Sequence, residues 1–190
     1  MTFPKPFDLA GAVMLLTCSF SAADVCVWRN PERTMSRIFP GATDYETITQ
    51  KISGEEVTAI EKWLGTSLDP AEKVEFNFYD LRTKKDGKIV SLGTAMALAG
   101  NGEYGSIEVV VGVDASGRIK AVYIQRSREK GNKALQSDAF LGQFVGKSVQ
   151  DPLQFGQDLK RLEQYEKSAE AVRLAIQKML AFHRELRKSK

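Results

Sequence analysis

Two apolar runs, Ile107 to Val113 and Ile119 to Ile124, stand on either side of Asp114-Ala115-Ser116-Gly117, and this arrangement constrains the fold more than any other feature. β-Branched residues crowd both runs, and a short polar connection ending in glycine turns one strand directly onto the next, leaving no room for a crossover helix. An antiparallel meander is therefore expected. Upstream, Val74, Phe76 and Phe78 alternate with Glu75, Asn77 and Tyr79 in the period of a half-buried strand. Lys85-Asp86-Gly87 marks a turn, Ile89 to Leu98 reads as the next strand, and Gly100-Asn101-Gly102-Glu103-Tyr104-Gly105 reads as a glycine-rich loop.

Helical signals flank this sheet. Asn30-Pro31 reads as an N-cap with proline at the first helical position; Met35, Ile38 and Phe39 share a face, and Pro40-Gly41 stops the helix. Ser53-x-x-Glu56 is a capping box opening a second helix through Val57, Ile60 and Leu64, with Gly65 placed to end it. Trp28 and Trp63 are expected in a core formed by these two helices. Gln125 to Gln136 is polar and charged, and Phe140, Leu141 and Phe144 form a small apolar cluster ending at Gly146-Lys147, which suits a loop plus a helical turn. From Asp158 onward, Leu159, Leu162, Ala169, Val172, Ile176 and Leu180 fall near helical spacing, so a long amphipathic helix closes the chain. Its basic end, Arg184, Arg187, Lys188 and Lys190, suits a helix C-terminus. The expected class is α+β: an antiparallel sheet with N-terminal helices and a long C-terminal helix packed on it.

Length and composition bound the rest. A chain of 190 residues, 43% of them hydrophobic, buries one sizeable core, so residues 24–190 are read as a single domain. The 27 basic and 24 acidic residues are interspersed, without the basic stripe of a nucleic-acid binder, so no nucleic-acid partner is expected. Lys5 precedes an apolar run from Leu9 to Phe20 and then Ser21-Ala22-Ala23, the pattern of a signal peptide over residues 1–23 cleaved after Ala23. The run is shorter than the roughly 20 residues a membrane span needs. A periplasmic or exported location follows, with an uncleaved N-terminal membrane anchor as the alternative. Leu15-Leu16-Thr17-Cys18 loosely suggests a lipoprotein signal, into which threonine fits poorly.

Of the two cysteines, Cys18 leaves with the signal and Cys26 is alone, so no intramolecular disulfide is available; an inert packed residue is expected, with a reactive thiol or an intermolecular disulfide as the alternative. There is no Cys-x-x-Cys-His haem attachment and no cysteine-histidine zinc pattern. His183, the single histidine, has no partner at ligand or triad spacing, so no catalytic residue and no metal ligand is assigned.

Four segments then follow in a telling order: Glu103-Tyr104-Gly105-Ser106 before the strand pair, Glu129-Lys130-Gly131 after it, Phe140-Leu141-Gly142-Gln143-Phe144-Val145-Gly146-Lys147, and Gln164-Tyr165-Glu166-Lys167-Ser168-Ala169. They resemble, in that order, the Gly-Tyr-Gly-Gly turn, the Glu-Thr-Pro-Gly loop, the Phe-x-x-Gln-Phe-x-Gly-Lys motif and the Gly-Ala-Thr-x-Ser-Ser segment of the FMN-binding domain. That domain occurs in the G subunit of Rnf electron-transport complexes and the C subunit of the sodium-pumping NADH:quinone reductase. The resemblance runs from about Gly100 to Leu180, less than half of the chain. It implies an exported domain serving electron transfer in an envelope or membrane redox complex, with FMN as a small-molecule ligand contacted by Tyr104, Gly105, Glu129, Gly131, Tyr165, Glu166, Lys167 and Ser168.

The departure from the family lies at the phosphate. The family esterifies the FMN phosphate to its threonine, and Glu166 stands at that position, with Gln164 and Tyr165 over the Gly-Ala. A carboxylate offers no hydroxyl and repels a phosphate carrying about two negative charges. Gln164 and Tyr165 also crowd an approach that glycine and alanine leave open. The resemblance therefore implies FMN held non-covalently, by the helix N-terminus with Lys160, Arg161, Lys167 and Ser168, and by stacking on Tyr104 or Tyr165. The alternative is a degenerate, non-flavin ligand-binding or interaction module of the same kind of complex. Non-covalent haem is a third reading, for which no strong axial ligand pair is present. Ordinary roles stand beside these: Glu129 in the solvated charged run Arg126 to Lys133, Tyr104 and Gly105 in turn geometry, and Glu166 as an exposed helical residue.

Overall fold

A computed structural model describes residues 31–188. Five strands, β1 Asp44–Lys51, β2 Glu75–Lys85, β3 Lys88–Asn101, β4 Ser106–Asp114 and β5 Ile119–Arg126, form one antiparallel sheet in chain order. The helices are α1 Glu32–Ile38, α2 Gly54–Leu64, the short α3 Asn132–Leu135 and α4 Asp138–Leu141, and α5 Glu166–Lys188. The chain is thus α+β, with its long C-terminal helix packed on the sheet against β3 and β4. The signal peptide assigned to 1–23, Cys18, Cys26, Trp28 and the Asn30 cap lie outside the described residues.

The connections explain the meander. Asp86 and Gly87 have φ of 51° and 76°, as a two-residue hairpin turn requires. At the β4–β5 turn Asp114 Oδ1 accepts from the Ser116 and Arg118 N–H groups and from the Ser116 hydroxyl, and Gly117 takes the left-handed φ of 86°.

The two faces of the sheet are covered differently. On one, Phe78, Val109, Val111 and Val113 pack with Val172, Ile176, Met179 and Phe182 of α5, and Phe76 stacks on Phe182 at 4.3 Å between ring centroids. α2 leans on the same side through Ile60 and Val57. Its capping box forms as expected, Ser53 Oγ accepting from Glu56 N while Glu56 accepts from Ser53 N, and Gly65 ends it in the left-handed conformation. On the other face α1 sets Met35, Ile38 and Phe39 against Leu81, Ala95 and Val110. It approaches so closely that a Cβ on Gly112 would stand 2.3 Å from Ile38 Cγ2. The two helices therefore serve opposite faces, and the single core expected for them is not formed; Trp63 belongs on the α5 side.

One strand is unexpected, and three further expectations are corrected. β1 left no periodic signal because it is a polar edge strand, Asp44-Tyr45-Glu46-Thr47-Ile48-Thr49-Gln50-Lys51, whose register on β2 supplies its order. Val74 precedes β2 and is 59% exposed. β3 extends through Gly100 and Asn101, which pair with Ile107 and Ser106, so the loop is only the tight turn 102–105. α5 begins at Glu166 rather than near Asp158, because residues 149–162 form an irregular strap that buries Leu153 and Leu159. Asp158 organises that strap by accepting from Lys147 Nζ at 2.9 Å, Gln154 N at 2.7 Å and Leu153 N at 3.2 Å.

Candidate functional site

Three segments far apart in sequence meet at the start of α5. The β3–β4 turn presents the Glu103 and Tyr104 N–H groups, which the strand ladder does not pair and which are left to find another acceptor. Glu129, in the loop after β5, supplies it: one carboxylate oxygen accepts from Tyr104 N at 2.8 Å, the other from Glu103 N at 3.2 Å and from Ser168 Oγ at 2.5 Å. Ser168 sits in the first turn of α5, so a single buried carboxylate ties turn, loop and helix together. The Glu129 backbone N–H donates to Ser127 Oγ at 3.1 Å.

Two close approaches make the corner possible. A Cβ on Gly102 would lie 2.4 Å from Glu129 Oε1, and one on Gly131 would lie 2.4 Å from the Tyr165 ring. The Tyr165 ring thus rests on the Gly131 backbone and fills the space above it. Outside the corner, Lys130 Nζ stands 4.5 Å from the Tyr104 ring centroid, a cation–π contact, and the Tyr104 side chain raises the Lys130 ammonium above its ordinary range.

Of the residues the resemblance assigns to flavin, Tyr104, Glu129, Gly131, Tyr165 and Ser168 are brought together. Gly105 makes none of the hydrogen bonds to Glu129; its φ of 140° serves the turn, with open space where a side chain would be. Glu166 and Lys167 face outward and line a neighbouring cleft. The solvated role offered for Glu129 is overturned, since it is only 4% exposed although Arg128 and Lys130 beside it are exposed. Glu166 does sit exposed on the helix. The residue that the sequence reading missed is Gly102; nothing in a glycine-rich turn marks which glycine makes room for a carboxylate.

The neighbouring cleft holds about 380 Å³. Phe155, Leu162 and Ala169 give it apolar walls, Arg161 and Lys167 positive charge, and Glu166 and Glu170 negative charge, the last paired with Arg173.

Chemically, the latch is saturated. Ser168 stands within hydrogen-bond distance of a carboxylate base, yet it is 1% exposed, so no substrate reaches it as a nucleophile. Its hydroxyl, spent on Glu129, is also unavailable as a donor to a phosphate. Among the described residues no group of three or more histidine, cysteine, aspartate or glutamate side chains could hold a metal ion, and no helix is long and apolar enough to cross a membrane. No model of a known protein family matches the chain, and no curated protein sequence matches it.

Proposed function

We propose that this domain is an FMN-binding-type scaffold that serves electron transfer in an envelope redox complex and holds flavin non-covalently, in the cleft beside the first turn of α5. The observation that carries the reading is this cleft, which is lined by Glu166 and Lys167 and lies beside the corner where Tyr104, Glu129, Gly131, Tyr165 and Ser168 meet; the resemblance draws all of these from separated motifs to one ligand. A cleft of about 380 Å³ falls within the roughly 300–1,000 Å³ of small-molecule sites. Phe155 and Leu162 offer apolar surface to a ring system, and Arg161 and Lys167 offer charge to a phosphate. Flavin would bring the electron chemistry, while the protein fixes its orientation and surroundings. Covalent attachment has no part in this reading, because Glu166 lacks a hydroxyl and that of Ser168 is buried.

The visible spectrum of the purified exported protein tests it. Flavin bands that leave the chain on denaturation are the expected result, and Arg161→Gln with Lys167→Gln should weaken FMN binding tenfold or more. A colourless protein that does not quench added FMN fluorescence sinks the proposal, and flavin retained by the denatured chain sinks its non-covalent form.

A specific observation favours a second reading. Tyr165 lies on Gly131 and Glu129 has three donors, so the corner is filled by the protein itself, as suits a ligand-binding or interaction module that has given up flavin. Replacing Gln164→Gly, Tyr165→Ala and Glu166→Thr together, with a matching flavin transferase present, discriminates the two. A merely degenerate site should regain covalent flavin, whereas a rebuilt one should not.

A further inference from the structure

The far end of α5 carries a separate cavity. His183, Arg184 and Arg187 come beside Ser116 and Arg118 of the β4–β5 turn and Ser148 just before the strap, around a cavity of about 260 Å³. At 1.5 Å per helical residue, His183 stands about 25 Å along α5 from Glu166, so this is not part of the latch or its cleft. We propose that this cavity is a binding site for a phosphate group, borne by a soluble phosphate ester or by a lipid headgroup.

Charge is the first argument. Three guanidinium groups line one concavity, and among the described residues no carboxylate lines it. Among the described residues, carboxylates of the same segments already hold partners: Asp114 with the Ser116 and Arg118 N–H groups and the Ser116 hydroxyl, Asp151 with Ser148, and Glu185 with Arg184 and Lys188. Hydrogen bonds from neutral donors leave the Asp114 and Asp151 carboxylates charged, so against Arg118, Arg184, Arg187 and Lys188 these groups keep a small positive excess. It is the arginines that line the wall, where concavity concentrates the field.

Preorganisation is the second. Arg118 Nη1 donates to Gly146 O at 2.8 Å, and Arg187 Nη1 donates to Ala115 O at 3.1 Å. Arg184 donates through Nε to Glu185 at 2.9 Å and lies over the Trp63 ring at 5.6 Å. Each guanidinium carries five N–H donors, so an arginine anchored through one nitrogen keeps others for a ligand. The rotamer freedom that binding would cost has largely been given up already.

Shape and charge of the ligand follow. Planar donor forks match the oxygens of a phosphate, which carries about 1.5 to 2 negative charges near neutral pH. The cavity is smaller than the roughly 300 Å³ at which small-molecule sites begin, so it takes the phosphate itself and leaves the remainder of the molecule outside. The C-terminal end of a helix disfavours an anion, and the basic last turn, Arg187 and Lys188, offsets that field.

Calorimetric titration of inorganic phosphate into the full chain tests the site. Saturable binding is expected, weakened tenfold or more by Arg118→Gln with Arg187→Gln, and unchanged by Lys84→Gln with Lys85→Gln, which removes the same charge from the end of β2. Absence of saturable binding, or equal loss in both double variants, overturns the proposal. If the arginine double variant melts early, Arg118→Lys is read instead; it keeps the charge, loses the fork, and should weaken binding several-fold, and no change would overturn the site. Co-sedimentation with phosphatidylcholine vesicles containing phosphatidic acid, lost in the arginine double variant, identifies a lipid headgroup as the source. Phosphate binding without vesicle retention identifies a soluble ester.

Discussion

Glu129 and Glu108 are both buried glutamates, at 4% and 2% exposure, and they have opposite surroundings. Glu129 meets three donors. Glu108, in β4 facing Arg126 across the register, has no hydrogen bond to either carboxylate oxygen among the described residues, and Arg126 Nη1 is 3.8 Å away. Ser106 Oγ, two residues earlier on the same face, also has no hydrogen-bond partner among the described residues. Backbone explains the difference. The β3–β4 turn has N–H groups to spare, whereas β4 is an inner strand that spends its own on the ladders to β3 and β5. Burial alone therefore says little about what a carboxylate does; the donors within reach decide whether it holds a structure together or burdens it.

Substitutions at the two sites should diverge. Glu129→Gln sets an amide N–H₂ against at least one N–H or O–H donor and should destabilise the domain by about 2–3 kcal/mol, the largest effect expected here. Urea unfolding with an unchanged slope measures it; a loss below half a kcal/mol would mean that the corner does not depend on the carboxylate. Glu108→Leu should act the other way, gaining about 1 kcal/mol, because it removes an unsatisfied buried carboxylate and leaves Arg126, whose side chain is 46% exposed, free to hydrate. Destabilisation by this change would show that Glu108 has a partner beyond Arg126 and would dissolve the contrast.

How much of this is legible in sequence follows from the same physics. The β4–β5 hairpin and the capping box of α2 are read correctly because each rests on local chemistry: a turn with glycine, or a serine and glutamate three residues apart. β1 is missed because an edge strand needs no apolar face of its own. The start of α5 is misplaced because Leu159 and Leu162 keep helical spacing with Ala169 while Leu159 is buried in a strap instead. At the latch, the resemblance supplies Glu129 and Ser168 separately. Their hydrogen bond across 39 residues is a tertiary fact with no local trace, and a charged run conceals the one member that turns inward. Glu108 interrupts an apolar strand visibly, but nothing in the run tells whether a donor waits opposite.

Asp158 sharpens the comparison, since it has the same number of donors as Glu129 with less burial. Its side chain, 19% exposed, accepts from Lys147 Nζ, Gln154 N and Leu153 N. Burial alone would raise its pKa; the Lys147 hydrogen bond and those two N–H groups outweigh that and hold the carboxyl below its ordinary range. A depressed folded-state value means that the unfolded chain takes up the proton first. The contribution is therefore full above the ordinary aspartate value of about 3.9 and disappears as pH falls through the lower folded value. Asp158→Asn should cost about 1 kcal/mol at pH 7, less than Glu129→Gln because water partly compensates the freed groups. The gap between wild-type and variant urea midpoints should narrow progressively below about pH 4. A gap that stays constant down to pH 2.5 would mean that Asp158 acts through shape rather than charge, and that donor count without burial predicts little about a carboxylate in this fold.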